Sequence, residues 1–336
     1  MLNCKTLENL VAIDSPTGYT QNSCRYIFNI LKEYGWEPQY TNKGAVKCSF
    51  GNNPEIAIAA HTDTLGAIVS GINPNGTLSF SLLGSPLLPS FESEYVRIYT
   101  LEGKIYTGTM LLNNPSTHAN RGAGNTERTT ANMHIRIDEV VKNKDDVKKL
   151  GINNGDIIAF ETKYHETPSG FIKSRFMDNK AGCFVLLELA RRIKEQNLNL
   201  PVEIFFSNYE EVGHGGTCGY SSTIKELLVI DMGTLGDGLE GDEFSCSICA
   251  KDNSGPYDYN FRKKLVEICK KNNIAYKVDV YPYYSSDGSA ALLAGNEFRV
   301  ALIGPGVAAS HGMERTHKDG IEATIQLCLK YISTDD

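Results

Sequence analysis

The sequence has 336 residues, of which 41% are hydrophobic and 22% are charged, and this composition is typical of a soluble globular enzyme. A net charge of −7 without a basic block argues against nucleic acid or an anionic membrane as a main partner. The N-terminus MLNCKTLENL lacks a basic region followed by an apolar core, and no apolar run reaches the roughly 18 residues of a membrane span. We therefore expect a cytoplasmic protein.

Nine cysteines are scattered along the chain, and an odd, scattered set is unlike the disulfide framework of a secreted domain. Cys246 and Cys249 form a CxxC pair, but no second pair follows at zinc-finger spacing and SCSIC alternates like a strand. We expect strand cysteines in a reducing compartment.

The N-terminal part of the chain predicts two amphipathic helices, separated by a break at residues 15–18, and then a buried strand over residues 56–60. The strand ends in the sequence His61-Thr62-Asp63. Since residues two apart on a strand share a face, His61 and Asp63 point the same way. A metal-bound imidazole usually donates its other ring N–H to a carboxylate, which suits His61 as ligand and Asp63 as its orienting group. An isolated HxD is also compatible with an ordinary strand-end turn.

Residues 70–162 have a different pattern, in which short alternating runs are separated by turn sequences such as NPNG, with one helical piece at 145–150. This pattern predicts an inserted β-barrel or sandwich. The insertion would divide the main α/β unit into residues 1–69 and 163–336.

The second part of the main unit places polar residues at the ends of predicted elements. Asp178 stands just ahead of a long helix that begins near Lys180, where an N-cap is the alternative interpretation. Glu210 and Glu211 follow an apolar strand, and two neighbouring acids at a buried strand end need a compensating cation. Asp231 ends the strand ELLVID, and His311 lies in the loop after RVALIGPG.

These separate signals combine into one site, because open α/β sheets bind ligands at the carboxyl ends of their strands. Five ligands suit two metal ions, with one bridging carboxylate and open positions for a water and a substrate. Glu210, left over beside a ligand, is then the candidate general base, although the chemistry alone leaves Glu210 and Glu211 exchangeable. The candidate ligands are His61, Asp178, Glu211, Asp231 and His311.

The motifs HTD, RFMDNKAG, YEEVG, VIDMG and SHGMERTH, with a β-rich insertion between the first two, resemble those of the tetrahedral (TET) metalloaminopeptidases. This group includes glutamyl and deblocking aminopeptidases. The resemblance spans nearly the whole chain, including the closing pattern IRIDEVV and LGINNGD of the insertion. It implies an α/β fold with a mixed central sheet, an inserted β-barrel that forms dimers, a twelve-subunit particle, and peptide substrates with a free N-terminus.

The same resemblance implies a role for each candidate residue. His61 and Asp231 would hold one zinc or cobalt ion, Glu211 and His311 would hold the other, and Asp178 would bridge them. Glu210 would activate the water, and a cis peptide would follow Asp178.

The chain departs from the family pattern at two places. His311-Gly312-Met313 stands for His-Ser-Pro, so His317 is a second candidate ligand, but it lies inside the predicted start of the last helix. Thr316 is the predicted N-cap of that helix, with Asp319 completing a capping box. Ser286-Asp287-Gly288 stands for Thr-Asp-Ala, which leaves side-chain preference open. His214 could reach the site or belong to a loop.

Three other functions compete with the aminopeptidase. A related two-metal amidohydrolase, of the carboxypeptidase or N-acyl amino acid deacylase type, carries its added domain after the paired acids, whereas this insertion precedes Asp178. A non-catalytic assembly protein would have lost a ligand or the base, and none is lost. A glycosidase using Glu210 and Asp231 would need no histidines.

Overall fold

A computed structural model describes residues 2–333 and divides the chain into two compact units. One unit runs up to Asp63 and resumes at Lys163, and the other is Thr64–Thr162. The α-helices of the described chain are α1 Lys5–Val11, α2 Gln21–Glu33, α3 Leu88–Phe91, α4 Lys144–Leu150, α5 Met177–Glu195, α6 Tyr259–Asn272, α7 Asp287–Leu293 and α8 Lys318–Ile332. The strands are β1 Gln39–Tyr40, β2 Val46–Ser49, β3 Ile56–His61, β4 Gly66–Ile72, β5 Leu78–Leu83, β6 Tyr95–Tyr99, β7 Ile105–Leu112, β8 Met133–Ile137, β9 Ile157–Phe160, β10 His165–Glu166, β11 Phe171–Ser174, β12 Val202–Ser207, β13 Glu226–Ile230, β14 Gly233–Thr234, β15 Cys246–Asp252, β16 Gly255–Pro256, β17 Tyr276–Val280, β18 Arg299–Val307 and β19 Glu314–His317.

The larger unit is built on a mixed sheet in the order β1-β2-β12-β3-β13-β18-β15-β16, with β14 beside β18 and β17 beside β15. The central strands β12, β3, β13 and β18 are parallel, whereas β2 runs antiparallel to β12 and β15 runs antiparallel to β18. The predicted α/β fold with a mixed central sheet is confirmed. Because His61 is paired with Ser207 in the register, strands β3 and β12 end at the same level, and their following residues emerge at one edge.

Helix α5 is the centre of the hydrophobic core. Its apolar residues are buried on all sides, as expected for a helix covered by other elements rather than lying on a surface. Helices α1 and α8 and the sheet pack against it, and each fully buried Leu or Phe side chain contributes about 1.5–3 kcal/mol to stability. This packing holds the start of α5, and with it Asp178, against the sheet.

The start of the last helix differs from the prediction. Thr316 lies in β19, which pairs with β11, and its hydroxyl donates to the carbonyl of Gly306 at 2.8 Å. The N-cap is His317, whose Nδ1 accepts from the backbone N–H of Asp319 at 3.1 Å. The capping box at Thr316 is therefore wrong by one residue, because strand pairing extends through the predicted cap.

The smaller unit is a closed antiparallel barrel in the order β4-β5-β8-β7-β6-β9. It begins at Thr64, ahead of the boundary predicted at residue 70, because β4 starts only three residues after Asp63. Among residues 2–333, no helix combines the length and the apolar character that a membrane crossing needs.

All nine cysteines lie within the described residues and are unpaired, and only Cys218 is exposed. Cys246 and Cys249 are buried in β15, as predicted for strand cysteines.

Candidate metal centre

The carboxyl ends of three neighbouring strands bring the predicted site residues together. Strand β3 ends in His61, with Asp63 two residues on, strand β13 is followed by Asp231, and strand β12 leads to Glu210 and Glu211. Asp178 enters from the start of α5, and His311 enters from the loop after β18. Each of these elements is anchored in the core, so the site is assembled by the fold rather than by local sequence.

Two groups of side chains share Asp178. In the inner cluster, made of His61, Asp178 and Asp231, His61 Nε2 lies 3.1 Å from Asp178 Oδ1 and 3.8 Å from Asp231 Oδ2. In the outer cluster, made of Asp178, Glu211 and His311, His311 Nε2 lies 3.4 Å from Asp178 Oδ2 and 3.8 Å from Glu211 Oε2. Each cluster offers three ligand atoms within 4.8 Å of one another, and Asp178 gives one oxygen to each.

Asp178 does not act as an N-cap. Its side chain makes no capping hydrogen bond, and its backbone is not helical. Asn179 supplies the cap instead, since its Oδ1 accepts from the N–H of Gly182 at 3.0 Å and its Nδ2 donates to the carbonyl of Ile230 at 2.8 Å. The peptide between Asp178 and Asn179 is cis, as the family resemblance implied.

Asp63 connects the imidazole of His61 to the turn that carries the paired acids. The Nδ1 atom of His61 lies 3.0 Å from the backbone carbonyl oxygen of Asp63 and 3.5 Å from Oδ1 of the Asp63 carboxylate. The same carboxylate accepts from the backbone N–H groups of Glu210 and Glu211, at 3.2 and 3.3 Å, and from the hydroxyl of Thr17 at 2.6 Å. Burial opposes the charge of Asp63, but the hydrogen bond and charge of His61, and then the hydroxyl of Thr17, lower its pKa, so the group remains an acceptor.

The turn after β12 is shaped by Asp287. Its Oδ1 accepts from the N–H of Gly216 at 2.7 Å, and its Oδ2 accepts from the hydroxyl of Ser207. A Cβ atom at Gly215 would lie 2.3 Å from Asp287 Oδ1, so only glycine fits this close approach. Asp287 thus fixes the loop that follows the short helix Glu210–Val212 to the end of the strand that precedes it.

Glu314 was not identified from the sequence, although it contacts both clusters. This buried carboxylate accepts from the backbone N–H of Asp178 at 3.1 Å and from that of His311 at 3.0 Å. The available signal was a glutamate three residues after a candidate ligand, but its role depends on a chain reversal that brings β19 back to the site.

The charges of the site are out of balance. Burial, and then the charge of Asp178, raises the pKa of Glu211 well above its usual range and that of Asp231 to about 8. Burial also raises the pKa of Glu210 well above its usual range. Although burial disfavours a charged imidazole, Glu210, Asp178 and Asp63 raise the pKa of His61. The acids outnumber the histidines, so the charges of neighbouring acids raise the pKa values of Glu210, Glu211 and Asp231 further.

One carboxylate oxygen of the site also indicates that positive charge is lacking there. Glu211 Oε1 is buried and has no hydrogen-bond partner among the described residues. A buried carboxylate oxygen without a partner is costly, and a divalent cation at each cluster would satisfy it and offset the excess negative charge. The donors are carboxylate oxygens and imidazole nitrogens, which are the ligands that zinc and similar ions take. The residues present therefore fit two metal ions.

The two adjacent glutamates face different surroundings. The Glu211 side chain is 3% exposed, whereas that of Glu210 is 15% exposed. Glu210 lines a cavity of about 60 Å³ together with Gly213, Ser285, Ser289 and Leu293. Its Oε2 lies 3.7 Å from His61 Nε2. Glu210 thus faces both the metal clusters and an open space.

Two other histidines lie outside both clusters. The His214 ring is exposed and stacks on Tyr209 with 5.1 Å between ring centroids, and its carbonyl accepts from Lys43 Nζ at 2.8 Å. His317 Nε2 lies 2.8 Å from the carbonyl of Ser169, and its ring contacts two phenylalanines. Of the two candidates after β18, only His311 lies at the site.

Comparisons with known proteins identify the family and the fold of the chain. The profile of the family described as M42 glutamyl aminopeptidase matches residues 44–327. YhfE of Bacillus subtilis (strain 168), which carries a provisional aminopeptidase name, is 43% identical over 338 residues, covering 98% of each chain.

Two solved structures share the fold. A TET aminopeptidase from the marine sediment archaeon Thaumarchaeota archaeon SCGC AB-539-E09 has a TM-score of 0.88 at 20% identity, over 99% of this chain and 96% of the other. The TET1 peptidase of Pyrococcus horikoshii has a TM-score of 0.87 at 21% identity, over 98% of both chains.

Proposed function

Since the chain belongs to the M42 glutamyl aminopeptidase family and is a peptide hydrolase, we propose that it is a two-metal aminopeptidase that removes the first residue of peptides with a free N-terminus. The observation that carries this proposal is the pair of clusters joined by Asp178, whose two carboxylate oxygens face different histidines. A shared carboxylate between two three-atom sites is the arrangement expected for two neighbouring ions.

In this proposal His61 and Asp231 would hold one ion, Glu211 and His311 would hold the other, and Asp178 would offer one carboxylate oxygen to each cluster. Zinc and cobalt suit this mixture of oxygen and nitrogen ligands. When bound, the ions polarise the scissile carbonyl and lower the pKa of the attacking water. The protein's own task is to hold the ligands, to exclude other orientations of the peptide and to move a proton.

Glu210 is the general base of the proposed reaction. It accepts a proton from the attacking water and donates it to the nitrogen of the leaving amine. Its position supports this role, because it is the less enclosed of the paired acids and lines the cavity beside the clusters. Glu211, with its enclosed side chain and its distance of 3.8 Å to His311, is suited to be a ligand.

Asp63 and Glu314 are positioning residues. Asp63 orients His61 and accepts from the backbone of both glutamates, so it fixes one ligand and the base together. Glu314 fixes the backbone of the bridging aspartate and of the outer histidine. Such partners of ligands are worth about 10–100-fold in metal affinity.

We also propose that the chain assembles into a large homo-oligomer, with the barrel as the dimer-forming unit. The Pyrococcus horikoshii TET1 peptidase can assemble into a tetrahedron or a large octahedral shell. The barrel exposes apolar side chains that a partner copy could cover, namely Leu87, Tyr95, Leu101, Ile105 and Val140. A dodecamer is the assembly expected from the family resemblance. The unpaired cysteines, eight of them buried, support the proposed reducing, cytoplasmic location.

The test is hydrolysis of a panel of amino-acid anilides with free and with acetylated N-termini, each assayed with zinc, cobalt or manganese. The proposal predicts cleavage of the free substrates only, lost on chelation and restored by metal. Cleavage of the acetylated substrates alone would indicate the related amidohydrolase instead, and activity insensitive to chelation would contradict the two-metal proposal.

A further inference from the structure

Two positively charged side chains are buried on either side of Asp178 in the sequence. Lys180 is 0% exposed and Arg175 is 2% exposed. Lysine and arginine are rarely buried to this extent unless they are paired, because removing water from a charged group is costly. Neither residue belongs to a metal cluster or is the proposed base, so their burial needs another reason.

Lys180 holds the strand end that carries His61. Its Nζ donates to the backbone carbonyl of Thr62, the residue after His61, at 2.9 Å. The same ammonium group donates to the hydroxyl oxygens of Ser15 and Ser23, at 2.7 and 3.0 Å. These three acceptors are uncharged, and one of them belongs to the backbone beside a ligand. The ammonium group therefore ties the end of β3 to the start of α5.

Arg175 holds the loop that carries His311. Its Nη1 donates to the backbone carbonyl of Gly312, the residue after His311, at 3.1 Å. Within this loop Ala309 and His311 have φ angles of 57° and 60°, in the left-handed region that residues other than glycine rarely adopt. Such a conformation persists only where the surrounding structure holds it. Arg175 is one of the contacts that hold this loop, together with the carboxylate of Glu314.

The two contacts have equivalent places in the fold. Each runs from the short segment 175–180, which contains Asp178, to the carbonyl oxygen of the residue that follows a histidine ligand. Because Asp178 offers one oxygen to each cluster, its segment must be aligned with both histidines at once. A hydrogen bond from a charged donor is stronger than one between neutral groups, so each contact restrains the backbone beside one histidine and thereby the position of its imidazole.

We propose that Arg175 and Lys180 are positioning residues that hold the two histidine ligands in place relative to Asp178, Lys180 for the inner ion and Arg175 for the outer ion. This inference rests on the proposed two-metal site. Each residue acts through the backbone beside one histidine. Each should therefore set the affinity of one ion and leave the affinity of the other unchanged.

Zinc titration of the metal-free protein by calorimetry tests each ion separately when one histidine is removed. His311→Ala keeps the inner cluster complete, and His61→Ala keeps the outer cluster complete. In the His311→Ala background, Lys180→Met should weaken zinc binding by about 10-fold or more, and Arg175→Met should leave it unchanged. In the His61→Ala background the two effects should be exchanged. Methionine keeps much of the length of either side chain but cannot donate a hydrogen bond.

Matched variants separate positioning from a general loss of stability. Arg192→Met removes an arginine whose guanidinium pairs with Glu322, so it should leave zinc affinity unchanged in both backgrounds. A general loss of stability would instead weaken zinc binding equally in the two backgrounds. If circular dichroism shows that a methionine variant does not fold, Arg175→Lys and Lys180→Gln, which keep a donor, should show the same crossed pattern with smaller losses.

The roles of these two residues can fail separately from the proposed reaction, because zinc binding needs no peptide. If the crossed pattern appears and the wild type cleaves none of the anilides, the proposed aminopeptidase activity alone fails. Equal losses in both backgrounds, no loss in either, or a loss confined to the opposite ion would overturn the roles of Arg175 and Lys180. A wild-type protein that binds no zinc would overturn both proposals.

Discussion

The inner and outer clusters use the same kinds of ligand but are built differently. The inner cluster rests on the ends of β3 and β13, and its His61 side chain is 1% exposed. The outer cluster rests on a turn and a loop, and its His311 side chain is 31% exposed, with a backbone φ of 60° in the left-handed region. The contrast indicates that strand ends place His61 and Asp231 of the inner cluster, whereas the position of His311 in the outer cluster depends on hydrogen bonds within a loop, such as that to Glu314.

This difference has a chemical consequence. An ion in the inner cluster would be enclosed by residues that cannot move without disturbing the sheet. An ion in the outer cluster would lie nearer to solvent and could exchange more readily. We therefore expect the inner site to bind metal more tightly, and the following variants test that expectation.

The largest effect is expected at the paired acids. Glu210→Gln keeps the shape of the side chain but cannot accept the proton of the water, so kcat should fall by on the order of 10²–10⁴-fold with both ions retained. Glu211→Gln, the adjacent matched change, should instead lose the outer ion and recover part of its activity in excess zinc or cobalt. Metal content measured beside kcat decides between them. If Glu210→Gln loses an ion and Glu211→Gln keeps two, the roles are reversed.

The two histidines should respond differently to replacement. Loss of a residue that hydrogen-bonds to a metal ligand costs about 10–100-fold in metal affinity, so loss of the ligand itself should cost more. His61→Ala should stay inactive in added imidazole, since its position is closed, whereas His311→Ala should be partly rescued. His317→Ala is the control: it removes the N-cap of α8 but should keep both ions and normal activity. Rescue of His61→Ala but not of His311→Ala would reverse the inner and outer assignment.

Glu314→Gln should have a smaller effect that is confined to positioning. The amide oxygen can still accept one of the two backbone bonds, but the amide nitrogen opposes the other N–H, so affinity for the outer ion should fall about 10-fold or more. Metal titration followed by calorimetry measures this. Glu243→Gln, which loses only its pairing with Arg315, serves as the control. An unchanged affinity in Glu314→Gln would show that the backbone of His311 is held by other contacts.

The last prediction concerns stability, which should shift with pH. In the metal-free fold, buried acids such as Asp231, with a pKa of about 8, keep protons that the unfolded chain releases near pH 4. The folded state then binds more protons, so its stability falls as pH rises from about 5 to 8, by at most ~1.4 kcal/mol per pH unit for each such proton. The raised pKa of His61 acts in the same direction, and the lowered pKa values of Asp63 and Asp178 act only below this range.

Thermal unfolding at several pH values measures this slope. The chelated protein should lose Tm between pH 5 and 8, and the metal-loaded protein should not, because its ligands are deprotonated throughout. A chelated protein that gains stability with rising pH would contradict the charge imbalance described above.

The parts of the site that could be predicted from sequence are those fixed by strand ends. A buried run such as 56–60 indicates both a strand and the edge at which it ends, and this was enough to place His61 and Asp63 on one face. The order of the sequence motifs then indicated the family, and the family implied the other ligands. Chemistry alone could not predict which of the adjacent acids, Glu210 or Glu211, is the base and which is the ligand. Two glutamates next to each other on a turn differ only in their three-dimensional surroundings.

The parts that were missed depend on contacts distant in sequence. Glu314 reaches the site through a chain reversal, for which no periodic pattern exists. Thr316 resembled an N-cap because pairing between β19 and β11 is invisible in the sequence. The start of the barrel was placed too late because β4 follows β3 after only a short connection.

The number of ions bound per chain tests the central claim most directly. Metal-free protein titrated with zinc, with the bound metal then measured by elemental analysis, should take up two ions per chain. Asp178→Ala, which removes the carboxylate common to both clusters, should hold neither ion tightly. One ion or none in the wild type, or two ions retained by Asp178→Ala, would contradict the two-metal site.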